Sequence, residues 1–196
     1  MTIQDGLKLE PKFRIPYYGL RGVEIPDAGR DDLPKFLFES GYRVGVEVGV
    51  NQGEFGIKLC QSGLKVYGID PYIVYPGYKD PESYESHYGE AIANLKGYDY
   101  TIIKKFSMDA LADFKDESLD FVYIDANHGY ESVKEDIAMW WPKVKRGGML
   151  SGHDYAVRPS FGVVQAVNEF LIEHNLSLSY LTVEEHIYDS WAIQKP

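Results

Sequence analysis

The chain of 196 residues has a single cysteine, Cys60. One thiol cannot form an internal disulfide, so the fold must depend on its hydrophobic core and not on a covalent framework. The chain also lacks an apolar run long enough to cross a bilayer, and its first residues lack the charged-then-apolar pattern of a secretory signal. These absences predict a cytoplasmic protein in which Cys60 is a small buried hydrophobic residue.

Basic charge is scarce, with 20 Lys and Arg against 30 Asp and Glu and a net charge of −10. Nucleic-acid binding depends on clustered cations that neutralise phosphates, and this chain has few of them. Together with the missing apolar runs, this charge predicts neither a nucleic-acid nor a membrane partner. The sequence leaves a homo-oligomer open.

Two glycine-rich phosphate-binding motifs are missing. The G-x-x-x-x-G-K-[ST] sequence of nucleoside triphosphate sites does not occur. The dinucleotide fingerprint G-x-G-x-x-G is broken because Asn51 takes the place of its second glycine, where the backbone must approach a pyrophosphate closely. The chain has E-x-G-x-x-x-G instead, formed by Glu47, Gly49 and Gly53.

The stretch 44–70 predicts a strand, a glycine-rich turn, a helix and a second strand that ends in Asp70. This order of elements is typical of the N-terminal part of a doubly wound α/β domain that binds a nucleoside-containing cofactor. An acid about 20 residues after the glycines can accept hydrogen bonds from both ribose hydroxyls. Strands and helices then alternate as far as a strand pair near the C-terminus, over 176–183 and 189–195.

On these residues and their spacing, the chain resembles the class I S-adenosylmethionine-dependent methyltransferases. The resemblance implies a Rossmann-like α/β fold, a doubly wound and mostly parallel seven-stranded sheet with an antiparallel C-terminal hairpin. It implies S-adenosylmethionine as the cofactor. The residues that would bind it are Glu47, Gly49, Asn51, Gly53, Asp70, Pro71, Ser107, Met108 and Asp125.

Two segments do not follow the alternation of strands and helices. Residues 1–40 contain four prolines and a single predicted helix over Asp32–Glu39, so we expect a cap or strap in front of a methyltransferase domain of residues 41–196. A tyrosine-rich loop within 71–90 leaves the carboxyl end of a predicted strand. It could be a lid or a substrate wall, or its tyrosines could pack on the surface, and both interpretations stay open.

Polar side chains follow the fourth and fifth predicted strands. Asp125 ends the strand LDFVYID, and His128 lies in the turn behind it. The strand MLSG is followed directly by His153 and Asp154. Because the carboxyl ends of parallel strands meet at one edge of a sheet, we expect these four side chains to share a crevice.

This set resembles the metal-dependent O-methyltransferases of the catechol and macrolide-sugar types. The resemblance implies that Asp125, His153 and Asp154 bind a divalent metal. His153 stands where a carboxylate is usual, so Mn²⁺ joins Mg²⁺ as a candidate. The resemblance also implies that His128 is the general base, with Asp125 contributing to catalysis. A base at this position favours a sugar or other aliphatic hydroxyl over a catechol, within a general prediction of a small sugar-like or phenol-like acceptor.

Alternatives stay open at this point. His128 and His153 could be structural histidines, and His128 could act as a base without a metal. The domain could be a binding module that keeps the fold without catalysis, although such a module has no need of acids and histidines in its crevice. A nicotinamide-dependent oxidoreductase is the third alternative, and Asn51 in the glycine-rich turn disfavours it.

Overall fold

The computed structural model describes residues 13–14, 21–22, 24–26, 28–73, 81–183 and 188–196. The strands are β1 (Phe13–Arg14), β2 (Arg21–Gly22), β3 (Glu24–Pro26), β4 (Val44–Val48), β5 (Lys65–Ile69), β6 (Tyr100–Ile103), β7 (Leu119–Ile124), β8 (Val144–Gly152), β9 (Tyr180–Val183) and β10 (Trp191–Gln194). The helices are α1 (Leu33–Glu39), α2 (Glu54–Gln61), α3 (Pro81–Asn94), α4 (Ser107–Ala110), α5 (Tyr130–Trp140) and α6 (Val163–Glu173).

The described residues form an eight-stranded sheet in the order β3-β9-β10-β8-β7-β4-β5-β6, beside a separate pair formed by β1 and β2. Strands β6, β5, β4, β7 and β8 are parallel to one another, and β10 is antiparallel to both β8 and β9. The predicted doubly wound, mostly parallel sheet with an antiparallel C-terminal hairpin is therefore confirmed. The additional strand is β3, which pairs in parallel with β9 and which the sequence did not predict.

The side chains of the central strands are buried on both faces of the sheet. In β7, Val122 and Ile124 pack on one face with α5 and α6, whereas Phe121 and Tyr123 pack on the other face with α1 and α2. Burial on both sides explains why these strands are continuous apolar runs and do not alternate with polar residues. The chain leaves β4 towards β5 on one side and returns to β7 on the other, which places a switch point at the carboxyl ends of β4 and β7.

Strand β8 begins earlier than its predicted MLSG core. Val144 pairs with Leu119 and Met149 pairs with Phe121, so five steps along β8 (144 to 149) lie opposite two steps along β7 (119 to 121). Gly147 has a left-handed φ of 74° within this irregularity. The extra residues form a bulge, which apolar periodicity alone does not reveal.

The N-terminal segment contributes packing as well as β3. Leu33, Phe36 and Leu37 of α1 are buried against the sheet. Asp32 precedes this helix as predicted, but its Oδ2 accepts a hydrogen bond from the Gly29 backbone nitrogen at 2.9 Å and makes no capping bond to α1. The domain boundary at residue 40 stays a prediction.

Three further predictions concern the tyrosine-rich loop, the cellular location and Cys60. Residues 74–80 of the tyrosine-rich loop lie outside the part of the chain that is described, so the lid stays a prediction. No helix in the described ranges combines the length and apolar character needed to cross a membrane, and the cytoplasmic location stays a prediction. Cys60 is half-buried, and burial raises the pKa of its thiol to about 12, so the thiol is not ionised at neutral pH.

A buried polar network anchors the loop that follows β6. The Ser107 hydroxyl donates a hydrogen bond to Asp136 Oδ1 and accepts one from Trp140 Nε1 at 2.8 Å. Asp136 is 4% exposed, and burial raises the pKa of its carboxyl from 3.8 to about 6. The Ser107 side chain is thus bound to α5, and its predicted contact with a cofactor stays a prediction.

The raised pKa of Asp136 predicts a pH-dependent stability. Since the folded protein holds this proton more tightly than the unfolded chain, the contribution of Asp136 is present below its ordinary pKa and is lost as the pH rises from about 4 to about 6. The Asp136→Asn variant cannot ionise and keeps an acceptor for Ser107. We expect it to be more stable than the parent protein at pH 8 by roughly 1–3 kcal/mol, and about equal at pH 4.

Urea unfolding at both pH values checks this difference in the free energy of unfolding. The exposed control Glu131→Gln should follow the parent curve, and parallel curves for Asp136→Asn and the parent would contradict the assignment.

Candidate functional site

The glycine-rich turn after β4 lies in contact with the loop after β7. Gly49 has φ 93°, and a Cβ at this position would lie 2.0 Å from the Asp125 carbonyl oxygen. Only glycine fits there, because backbone atoms cannot move aside as a flexible side chain can. Asn51 also adopts the left-handed region, with φ 51°, which asparagine tolerates better than most residues. The turn therefore packs directly on the backbone of Asp125, which fixes its position at the carboxyl end of β4.

Asp70 holds this turn through backbone hydrogen bonds. Its Oδ2 accepts from the nitrogens of Val50 at 3.0 Å and Asn51 at 3.1 Å, and its Oδ1 accepts from the nitrogen of Tyr72 at 2.8 Å. A carboxylate has roughly four acceptor positions, so these three bonds leave about one, on Oδ1. The carboxylate lies where a ribose acid was predicted, and in this arrangement it can accept one further hydrogen bond. Its contact with ribose stays a prediction.

Glu47 lies beneath α2. It is 2% exposed, and its Oε2 accepts a hydrogen bond from the Tyr100 hydroxyl at 2.5 Å. Burial raises the pKa of this carboxyl to about 8, so it is mostly protonated at neutral pH. A Cβ on Gly56 of α2 would come within 2.9 Å of Oε2, which shows how closely the helix covers the acid. The predicted cofactor contact of Glu47 is not tested by these positions.

Asp125, His128 and Asp154 meet at the carboxyl edge of the sheet. His128 Nε2 lies 2.8 Å from Asp154 Oδ2 and 3.6 Å from Asp125 Oδ1. His153 Nδ1 lies 3.5 Å from Asp154 Oδ2, at the outside of this group. The four residues that the sequence placed in one crevice are therefore neighbours. Asp154 has a left-handed φ of 57°, an uncommon conformation that often occurs at functional sites.

The charges in this group depend on one another. Burial lowers the pKa of His128, but the carboxylates of Asp125 and Asp154 raise it more, to about 9. Burial raises the pKa of Asp154, but the imidazoles of His128 and His153 hold it below its usual range. With no other ion bound, His128 therefore carries a proton at neutral pH, between two carboxylates.

The group is suited to a divalent cation. One ligand atom from each of Asp125, His128 and Asp154 lies within 4.8 Å of the others. His128 Nε2 is buried and makes no aligned hydrogen bond, despite its closeness to Asp154. Two carboxylates and an imidazole suit Mn²⁺ or a similar ion better than an ion that prefers only oxygen. The structure groups His128 with the two acids, whereas the sequence predicted His153 in that place, and the ligand role of His153 stays a prediction.

Three residues beside the site were not predicted from the sequence. Arg30 Nη1 lies 2.7 Å from Asp125 Oδ2. The Phe161 ring centroid lies 4.8 Å from that of His128, and the Tyr188 centroid lies 6.3 Å from that of His153. Phe161 and Tyr188 are themselves 5.9 Å apart, so they form an aromatic pair beside the two histidines. All three residues come from irregular segments, where no periodicity indicates which way a side chain points.

Residues 46–155 match the sequence profile of a family described as a methyltransferase domain, which is more than half of the chain. The chain belongs to this methyltransferase family. The match includes the glycine-rich turn, Asp70 and the whole Asp125, His128 and Asp154 group. The family that the sequence pattern predicted is thus confirmed.

A curated relative is similar over a short stretch. The protein y4gI of Sinorhizobium fredii, described as uncharacterized, is 37% identical over 65 residues. These residues are 33% of this chain and 7% of that protein, so the match spans only a small part of the relative's length.

Solved structures share the fold at low identity. An O-methyltransferase from Bacillus cereus in complex with S-adenosylhomocysteine is 18% identical, with a TM-score of 0.64 over 85% of this chain and 80% of that chain. The O-methyltransferase NovP is 15% identical, with a TM-score of 0.62 over 85% and 78%. An N1-methyltransferase from Burkholderia thailandensis is 11% identical, with a TM-score of 0.57 over 86% and 79%. Identities this low show the fold alone, and the fold serves both oxygen and nitrogen acceptors.

The geometry of the group predicts which histidine binds a metal. We expect Mn²⁺ at about 100 times its Kd to stabilise the methyltransferase by roughly 2.7 kcal/mol. The His153→Ala variant should keep this gain and His128→Ala should lose it, because Nε2 of His128 is the atom between the two carboxylates. Thermal unfolding with Mn²⁺ and with chelator checks this. A gain lost only in His153→Ala would support the ligand set predicted from the sequence, and no gain in the parent protein would remove the metal site.

Proposed function

We propose that this methyltransferase transfers the methyl group of S-adenosylmethionine to a hydroxyl of a small ring-shaped molecule, a sugar or a phenol. The observation that supports it most is the convergence of Asp125, His128 and Asp154 at the switch point, beside the glycine-rich turn. A cofactor on that turn would have its methyl group close to groups that can remove a proton. A binding module without catalysis has no use for such a group.

The turn residues and their supports would bind the cofactor. The turn that contains Gly49 lies against the backbone of Asp125, and we propose that the cofactor lies on this turn and that Asp70 offers its remaining acceptor position to the ribose. Pro71 follows Asp70 at the same edge. Met108 lies in α4, the short helix that follows β6. It is half-buried and packs against the core, and we propose that it contacts the adenine. Each of these contacts is part of the proposal.

The reaction is an in-line displacement at the sulfonium methyl group. The acceptor oxygen forms a bond to the methyl carbon while the carbon–sulfur bond breaks, its electron pair stays on sulfur, and S-adenosylhomocysteine leaves. Alignment of the two reactants supplies a large part of the acceleration. The hydroxyl proton must also be removed, since a neutral alcohol is a weak nucleophile.

The Asp125, His128 and Asp154 group is compatible with two ways of removing this proton. They are mutually exclusive, because Nε2 of His128 cannot be a general base and a metal ligand at the same time. If Nε2 of His128 is neutral, which a pKa of about 9 requires an alkaline pH to achieve, it can accept the proton as a general base, and Asp125 and Asp154, which both face Nε2, then stabilise the imidazolium that forms. If Nε2 is a metal ligand, it cannot be the base. A divalent cation bound here would lower the pKa of the acceptor hydroxyl. In that case the proton of the acidified hydroxyl would pass to solvent water, and the three residues would serve as ligands.

The aromatic pair supports a ring-shaped acceptor. Phe161 and Tyr188 lie beside His128 and His153, and we propose that a planar or ring-shaped acceptor binds against this pair, next to the Asp125, His128 and Asp154 group. Aromatic side chains offer a large apolar face with little loss of rotamer freedom. This arrangement serves sugars and phenols alike, so both belong in a screen.

Replacing His128 tests the proposal. We expect His128→Ala to lower turnover of an accepted hydroxyl compound by about 10²- to 10⁴-fold, because it removes either the base or a metal ligand. Affinity for S-adenosylhomocysteine should change less than about twofold. The measurement is mass-spectrometric detection of S-adenosylhomocysteine in a screen of sugars, phenols and ring amines, with Mn²⁺ and with chelator.

His174→Ala is the matched control, since His174 follows α6 and stacks on Phe170 away from the crevice. It should keep full turnover. Equal turnover in His128→Ala would remove His128 from the mechanism. Turnover of ring amines alone would replace oxygen with nitrogen as the acceptor atom.

A further inference from the structure

Arg30 lies at the edge of the proposed cofactor site although it comes from the N-terminal segment. It is part of the short 3₁₀ turn Arg30–Asp32 that leads from β3 into α1. Its Nη1 lies 2.7 Å from Asp125 Oδ2, and its guanidinium carbon lies 4.9 Å from the centroid of the Phe55 ring. Phe55 is in the first turn of α2, directly after the glycine-rich turn. Arg30 is therefore beside both elements that would enclose the cofactor.

The position of this short turn does not depend on Arg30 alone. Lys58 of α2 forms an ion pair with Asp31 at 2.5 Å. Asp32 accepts the hydrogen bond from the Gly29 backbone, which closes the turn. The guanidinium side chain is 29% exposed, so it is held in place and still reaches the crevice.

The electrostatics of the crevice require a cation for one part of the cofactor. Asp70, Asp125 and Asp154 all lie along this edge of the sheet. S-adenosylmethionine carries a sulfonium and an ammonium, which carboxylates attract, and also an α-carboxylate, which they repel. Arg30 brings a permanent positive charge to this group, in a planar fork that matches a carboxylate.

We infer that Arg30 is a cofactor-binding residue whose guanidinium binds the α-carboxylate of S-adenosylmethionine next to Asp125. The inference rests on the proposed function, because it needs that cofactor in the crevice. The N-terminal turn then completes a site that the methyltransferase sheet alone leaves with excess negative charge. A lysine would be a poor substitute for Arg30, since an ammonium cannot make the paired hydrogen bonds of a guanidinium.

Calorimetric titration with two ligands tests the inference. The ligands are S-adenosylhomocysteine and its decarboxylated analogue, which keeps the adenosine, the sulfur and the amino group. We expect Arg30→Ala and Arg30→Gln each to bind S-adenosylhomocysteine at least about tenfold more weakly than the parent protein does, equivalent to about 1.4 kcal/mol. Binding of the decarboxylated analogue should be unchanged or stronger, because that analogue has no carboxylate to lose its partner.

Lys35→Ala is the matched control, since it removes one positive charge from α1 and an exposed ion pair with Glu39, and leaves the Lys58–Asp31 ion pair that holds the Arg30 turn. It should bind both ligands as the parent protein does. Equal weakening of both ligands in the Arg30 variants, or no weakening of either, would overturn the inference and leave Arg30 as a structural partner of Asp125. If the parent protein binds neither ligand, the proposed function itself fails, and the inference fails with it.

Discussion

The close approach of two backbone segments at the carboxyl ends of β4 and β7 is the constraint on which the site depends. The Asp125 nitrogen donates to the Val48 oxygen at 2.8 Å, so the ladder between the strands continues beyond the strand ends. The His153 nitrogen donates to the Ile124 oxygen at 3.1 Å in the same way. Gly49 then lets the turn touch the Asp125 carbonyl. These contacts determine where the acid, the histidines and the bare backbone of the turn lie relative to one another.

Several carboxyl groups share this edge, and each is stabilised differently. Asp70 accepts three backbone hydrogen bonds, Asp125 pairs with Arg30, and Asp154 lies against the His128 imidazole. Glu47 is buried beneath α2, where its raised pKa of about 8 keeps it mostly uncharged. Asp70 is thus bonded to the turn and Glu47 to Tyr100, whereas Asp125 and Asp154 each have an oxygen within 3.6 Å of His128 Nε2.

The sheet and the principal cluster could be predicted from the sequence because both follow from local rules. Strand-ending residues such as Asp125 and Asp154 meet wherever parallel strands are neighbours, whatever the details of packing. The glycine spacing around Gly49 similarly predicts a tight turn after the strand. Which histidine lies between the two acids is a different matter, because it depends on side-chain directions in two loops.

The features that the sequence did not predict depend on contacts between distant parts of the chain. Arg30 and Asp125 are 95 positions apart, and nothing near Arg30 in the sequence indicates that it reaches this edge. Strand β3 has three residues, and within the described part of the chain it pairs with β9 alone, so no alternation of apolar and polar residues indicates it. Ser107 could contact a cofactor by position, but the buried carboxyl of Asp136 binds its hydroxyl. The positions of Arg30, β3 and Ser107 depend on tertiary contacts, and no local sequence pattern predicts those contacts.

We propose that the turn at Gly49 is the binding site of S-adenosylmethionine. Equilibrium dialysis of labelled S-adenosylmethionine against the parent protein and Gly49→Ala measures this binding. Gly97→Ala is the matched control, since Gly97 has a similar φ of 90° but open space around its Cβ position. We expect a Kd on the order of micromolar or tighter for the parent protein and Gly97→Ala, and loss of binding in Gly49→Ala, whose circular dichroism spectrum should match that of the parent protein. Equal binding by Gly49→Ala, or no binding by the parent protein, would contradict this proposal.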